Sequence, residues 1–140
     1  MDHPYFGTLT FYKSASPQSE NFWQGELFDS MSGATIGITI EAGSDGPVQE
    51  QVNFIQDMLN HKDSIPKKIE RVLKPKYEEW TGKLFPSDFF SEFELSGVTI
   101  PEFGKDTNRW DISFEIQSDQ SHMFTVYFSD GIAKNVTVDG

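Results

Sequence analysis

Cysteine is absent from the 140-residue chain. That excludes a disulfide framework, a thiolate metal site and a cysteine nucleophile, and it fits a reducing compartment. Long apolar runs are missing too, since no stretch approaches the roughly 18 residues a membrane-spanning helix needs. The opening Met1-Asp2-His3-Pro4 has neither the basic nor the apolar region of a secretory leader. A cytoplasmic location is therefore expected. Positive charge is scarce: 11 Lys and Arg stand against 22 Asp and Glu, for a net charge of −11. Phosphate backbones repel such a surface, so nucleic acid is not the expected partner. Histidine occurs only as His3, His61 and His122, with no pair at metal-ligand spacing and no HExxH. No GxSxG elbow is present to locate a Ser-His-Asp triad. Gly43-Ser44-Asp45-Gly46 lacks the lysine of a phosphate-binding loop and the spacing of a calcium loop. Paired carboxylates such as Glu78-Glu79 read as the exposed face of a helix, with no second acid set across a cleft. Neither metal nor cofactor is expected, and no catalytic residue is assigned.

What the chain does have is aromatic mass, with thirteen Phe, four Tyr and three Trp. Such a composition packs a core and favours strands. Tyr5 to Tyr12 alternates around Leu9 and Phe11. Phe22 to Phe28 follows with Trp23 and Leu27 in phase, and Gly25 between them marks a bulge or a close approach. Ala34 to Glu41 places Ile36, Ile38 and Ile40 on one face. Turns at Ser14–Ser19 and Asp29–Gly33 join these runs into an antiparallel meander.

The middle changes period. After Pro47, Val48, Val52, Ile55 and Leu59 form a helical stripe widened by Met58. A second stripe runs through Ile65, Ile69, Val72, Leu73, Tyr77 and Trp80, with Asp63 or Ser64 as cap and Gly82 as stop. Pro75 lies inside it and predicts a kink or split near Val72–Lys74. Pro86 to Phe90 reads as one helical turn or a loop. Phe93 to Ile100 reads as a short strand interrupted at Gly97 and closed by Pro101 and Gly104. Alternation returns with Trp110, Ile112, Phe114 and Ile116, then Phe124, Val126 and Phe128. Asp130-Gly131 is a type I′ hairpin signal, ahead of a last strand carrying Ile132, Val136 and Val138. The expectation is one α+β domain over residues 1–140, with N-terminal and C-terminal antiparallel meanders covered by a central helical pair.

Charge is unevenly spread. Residues 1–46 hold six acids and one base, net −5; residues 47–82 are balanced at six and six; residues 83–140 hold ten acids and four bases, net −6. All the excess acid belongs to the strand-rich parts. Lys62, Lys67, Lys68, Arg71, Lys74 and Lys76 interleave with Asp63, Glu70, Glu78 and Glu79, as on a solvated helix face. Trp23 and Trp80 read as core.

Three stretches together resemble a known group. They are His3-Pro4-Tyr5-Phe6-Gly7-Thr8-Leu9, the strand Trp23-x-Gly25-Glu26, and Trp110-Asp111-Ile112 with His122-Met123-Phe124-Thr125-Val126-x-Phe128-x-Asp130-Gly131. The chain is similar here to small bacterial α+β domains of unknown function, some of which resemble immunity proteins of polymorphic or contact-delivered toxin systems. The resemblance implies a strand–helix–strand fold and carries no catalytic residues. It also implies a cognate protein toxin as partner, and the acid excess of this chain predicts that such a partner is basic.

Together the charge split and the resemblance give an expectation: a non-enzymatic bacterial immunity protein that occludes its toxin, steered by acid. Asp111, Glu115 and Asp119 are the expected contact residues, beside Glu92, Glu94 and Glu102, with Asp106 in the same crowded segment. Tyr127 is the aromatic anchor, because its strand phase opposes Phe124, Val126 and Phe128. Two readings from other classes stand beside it. One is a small-ligand or enzymatic domain with a cleft between sheet and helices. The other is a structural subunit of a phage or secretion apparatus.

Overall fold

The computed structural model describes residues 1–15, 21–30, 32–103 and 109–140. Parts of the Ser14–Ser19 and Asp29–Gly33 turns, together with Gly104 and Asp106, lie outside the described residues. The chain forms a mixed α+β structure. Two short strands, β1 (Asp2–His3) and β2 (Gly7–Thr8), make a small hairpin. A seven-stranded sheet follows, made of β3 (Thr10–Tyr12), β4 (Phe22–Asp29), β5 (Ala34–Glu41), β6 (Phe93–Ile100), β7 (Arg109–Ile116), β8 (Asp119–Ser129) and β9 (Ile132–Asp139). Its spatial order is the order of the chain. Every neighbouring pair is antiparallel except β5 and β6, which run parallel. A parallel pair needs a long crossover. The segment between them supplies it, with α1 (Gln49–Asn60), a 3₁₀ turn at Lys62–Ser64, α2 (Ile65–Thr81) and the short α3 (Phe89–Glu92). Both meanders thus belong to one sheet.

Alternation decides which face is buried. Ile36, Ile38 and Ile40 of β5, Ile112, Phe114 and Ile116 of β7, and Phe124, Val126 and Phe128 of β8 all enter one core. Val52 and Ile55 of α1 and Ile65, Ile69, Leu73 and Tyr77 of α2 join them there. α1 lies against β6, and α2 lies against β8 and β9. The α1 stripe starts later than the periodicity predicts. Val48 is exposed, and Gln51 takes the inward place. Its amide bridges the ends of β5 and β6, donating to the carbonyls of Glu41 at 2.8 Å and Pro101 at 2.9 Å. Pro75 does not split α2, which runs unbroken past it. The proline sits on the exposed side, where its missing N–H and ring are carried with least disruption.

Two bulges reset the inward phase. One between Leu95 and Gly97 lets both Leu95 and Val98 face the core, so the glycine does not end the strand. Another opposite Tyr127 and Phe128 turns Ala133 inward and leaves Ile132 exposed, against the expectation for the last strand. Asp130 and Gly131 have φ of 54° and 77°, as the type I′ turn requires. Gly25 is a close approach: a Cβ there would stand 2.6 Å from Leu9 Cδ2. The β1–β2 hairpin thereby seats Leu9 and Phe6 over the core face of β4.

Lys62 departs from the solvated-face reading. It reaches the carboxylate of buried Asp29 at 2.9 Å and lies 5.0 Å from the centre of the Phe90 ring. Trp80 is also not core; it is half exposed and meets His122 edge-on. Among the described residues no helix is long and apolar enough to cross a membrane.

Candidate functional site

Strand parity sends every second residue of the sheet away from the helices. The pairing register lines these residues up in rows. One row crosses all seven strands as Thr10, Gln24, Thr39, Thr99, Asp111, Tyr127 and Asn135. The next runs from Glu26 through Gly37, Gly97, Ser113 and Thr125 to Thr137. A third brings together Glu94, Glu115, Met123 and Asp139. The outward face is therefore polar and acidic, with Tyr12, Phe28, Met123 and Tyr127 as exposed apolar groups upon it. Arg109 and Lys134 stand at one end, where they line a cavity of about 340 Å³ together with Glu41, Asp111 and Tyr127.

Four of the seven expected contact residues share this face: Glu94, Asp111, Glu115 and Tyr127. Glu94 and Glu115 lie directly opposite one another across β6 and β7. Both are exposed, and neither has a hydrogen bond or ion pair among the described residues. Like charges in cross-strand register destabilise a sheet. Asp111 is half-buried and accepts a hydrogen bond from Thr99 Oγ1 at 3.0 Å. Burial raises its pKa above the usual aspartate value, and the Thr99 hydroxyl opposes that shift only in part.

The sign of this shift makes a prediction. A carboxyl whose folded pKa exceeds its unfolded one weakens the fold as pH rises through that interval, because folding prefers the protonated form. Asp111→Asn keeps an acceptor for Thr99 and removes the charge. The variant is expected to unfold at a higher temperature than the parent at neutral pH, and the gain should shrink as pH falls below the usual carboxylate range. Thermal unfolding at two pH values checks it; an unchanged gain at both would contradict the assignment.

The other three expected residues lie off this row and are engaged by neighbouring groups. Glu92 holds Tyr77 and the β7–β8 turn together. It accepts from the Tyr77 hydroxyl at 2.5 Å, from the Ser118 hydroxyl at 2.8 Å and from the Ser118 backbone N–H at 3.0 Å. Burial pushes its pKa up, but the Tyr77 and Ser118 hydrogen bonds and the Lys83 charge together bring it below the usual glutamate value. Tyr77 is raised, first by its own burial and then by Glu92. Asp119 caps the start of β8. The Ser121 hydroxyl donates to it at 2.6 Å and His122 Nδ1 lies 2.6 Å away, so its pKa is lowered, chiefly by Ser121. Glu102 is half-buried past the end of β6 and already engaged in an interaction of its own.

Asp119, Ser121 and His122 do not form a nucleophilic relay. Such a relay uses opposite nitrogens of the ring for the acid and the serine. Here the aspartate and the Ser121 hydroxyl, at 3.1 Å, both meet Nδ1. His3 Nδ1 accepts from the backbone N–H groups of Tyr5 and Phe6 and so shapes a turn. Among the described residues no three His, Asp or Glu side chains are placed to hold a metal. The cleft between sheet and helices has a volume of about 440 Å³ and is lined in part by Leu59, Lys62, Phe90, Glu94 and Gln117. Its lysine is already bound to Asp29.

The sequence reading missed Asp139 and Glu26 as members of the acidic face. Their strand phase was visible, but the register that brings them level with Glu115 and Gly37 was not. Searches of family models, curated proteins and solved structures give no match to this chain.

Proposed function

We propose that this chain is a bacterial immunity protein that binds a basic cognate toxin through the outward face of its sheet and blocks it sterically. The observation that carries the reading is the Glu94–Glu115 pair, two opposed carboxylates without a cation of their own, beside a desolvated Asp111 and an exposed Tyr127. A cationic partner surface would relieve the repulsion and supply the missing counter-charge. Tyr127 and Met123 add apolar contact within the same patch. In this reading α1 and α2 back the sheet as a covering pair, and the open face does the binding. The activity is stoichiometric occlusion in the cytoplasm, without a catalytic step. The sheet–helix cleft supports the small-ligand reading less well, because Asp29 and Phe90 already hold the lysine that lines it.

The test is co-expression with the product of the adjacent gene. The expected result is restored growth and a one-to-one complex on gel filtration. A toxic neighbour that is neither bound nor neutralised would remove the proposal, as would a neighbour that is not toxic.

A further inference from the structure

We propose that the cavity where β7 starts and β8 ends is a binding site for a small zwitterion, a molecule with a carboxylate and an ammonium several bonds apart. The proposal goes beyond the docking of a toxin and does not depend on it. The cavity has a volume of about 340 Å³, the size of a small-molecule site. It lies at the end of the sheet, so residues of both strand parities reach it. Trp110 and Phe128 give it an apolar lining, with their rings stacked at 4.0 Å.

Cations gather here against the composition of the chain. Residues 83–140 hold only four bases, and two of them, Arg109 and Lys134, line this one cavity. Neither has a hydrogen bond or ion pair among the described residues. Arg109 pairs with Ser129 across β7 and β8. Lys134 is the extra residue of the bulge in β9. Tyr127 pairs with Asn135 and Phe128 with Ala133, which leaves Lys134 without a cross-strand partner. Bulges re-aim side chains in this way. The two cations thus flank the end of β8 from the strands on either side of it, and together they seat a carboxylate.

The opposite charge is one row further in. Asp111 stands two residues from Arg109 on β7, about 7 Å along the strand at the usual rise. That spacing suits a ligand whose charges are not adjacent. Thr99 occupies only Oδ1 of Asp111, and Oδ2 has no hydrogen-bond partner among the described residues. Every side-chain oxygen or nitrogen sealed from solvent among those residues does have a partner, so Oδ2 is open to the cavity that Asp111 lines. Burial already makes the charged form of Asp111 costly, and a ligand ammonium would offset that cost. Glu41 also lines the cavity but is engaged in an interaction of its own. Charge selects the ligand. A dianion would set its second negative group against Asp111, and a dication its second positive group against Arg109 and Lys134. A zwitterion satisfies both ends and, with no net charge, is not repelled by a chain at −11.

The experiment is an NMR titration of the isotopically labelled full chain with 4-aminobutyrate, with butyrate and butylamine as probes that each lack one charge. The expected result is saturable perturbation, in the millimolar range, of the Trp110 indole N–H and of the amides of Asp111, Ser129 and Lys134. Both single-charge probes should bind more weakly by about ten-fold or more. Arg109→Gln with Lys134→Gln is expected to reduce 4-aminobutyrate binding to the level of butylamine, and Asp111→Asn to that of butyrate. Asp111→Asn is also the more stable chain expected at neutral pH, so loss of fold does not explain its loss of binding. Lys67→Gln removes a cation from an exposed position of α2 and should bind as the parent does. Either single-charge probe binding as tightly as 4-aminobutyrate would overturn the proposal. So would perturbations centred outside the cavity, no saturation by 4-aminobutyrate, or full binding by the Arg109 and Lys134 double variant.

Discussion

Glu92→Ala is expected to destabilise the protein by about 2–3 kcal/mol, since one half-buried carboxylate is the acceptor for three donors. Tyr77 is buried among Phe85, Phe93 and Phe124, and its hydroxyl loses the acceptor it holds at 2.5 Å when Glu92 is removed. The same deletion removes both Ser118 bonds to the end of α3 and leaves the Gln117 N–H bond to the Glu92 carbonyl oxygen, at 2.8 Å, as the remaining tie. Tyr77→Phe removes only one donor and is expected to cost about 1 kcal/mol. In the double variant the orphaned hydroxyl no longer exists, so its loss should be clearly smaller than the sum of the singles. Glu92→Gln should fall between parent and alanine. The pH dependence has a definite sign. The folded pKa of Glu92 lies below its ordinary value, so its stabilisation is fully present above the unfolded pKa and is lost as pH falls through the folded one. The gap between parent and Glu92→Gln should therefore close in acid. Urea unfolding followed by tryptophan fluorescence measures the parent and all four variants. A Glu92→Ala chain within about 0.5 kcal/mol of the parent would show that the network does not hold the fold.

Charge reversal on the open face should separate binding from folding. If the proposed basic partner docks on this face, Asp111→Lys with Glu115→Lys is expected to weaken its binding about 100-fold or more, because each reversal replaces an attraction with a repulsion. The loss should be larger in low salt than in high. Glu115→Lys alone is expected to move the two properties in opposite directions. It converts the opposed Glu94–Glu115 pair into a cross-strand ion pair, so the free protein gains roughly 0.2–1 kcal/mol while the complex weakens. Glu79→Lys, on an exposed position of α2, makes the same charge change away from the sheet and should leave affinity nearly unchanged. Calorimetric titration and thermal unfolding of the three variants supply both readouts. Binding by the double reversal as tight as the parent would reject electrostatic docking on this face.

The legible and illegible parts of this molecule divide by the range of the interactions involved. The β5 triplet Ile36, Ile38 and Ile40 is buried as its alternation predicts, and so are the inward sets of β7 and β8. The Asp130-Gly131 turn and the Gly82 stop are likewise where local backbone chemistry puts them. Tyr5 to Tyr12 reads as one strand but folds as a hairpin, a connector and a short edge strand, because Leu9 finds burial over Gly25 of another strand and Phe6 is buried beside it in the core. Trp80 fits the helical stripe by spacing, yet at the end of α2 it meets only the edge of the His122 ring on β8 and stays half exposed. Lys62 looks like one more solvated base until Asp29, thirty-three residues earlier, is brought beside it.

The expected contact residues divide the same way. Strand parity alone placed Asp111, Glu115 and Tyr127 on an outward face, since a period of two is a local property. Parity could not tell that Glu92 would be claimed by Tyr77 and Ser118, or Asp119 by Ser121 and His122. Those partners come from other elements or from the geometry of a turn.

By itself, then, the sequence determined the acid excess of the strands, the face each strand residue takes and the change of period that marks the helices. These follow from composition and from backbone repeats that need no distant contact. Only the tertiary structure decided that both meanders form one sheet through the parallel β5–β6 joint. It alone set Glu94 against Glu115, laid Gly37 beside Gly97 and bound Glu92 and Asp119 to internal duties. The reason is register: which residues stand opposite one another is fixed by bulges, crossovers and core packing, and none of these is encoded within a single strand.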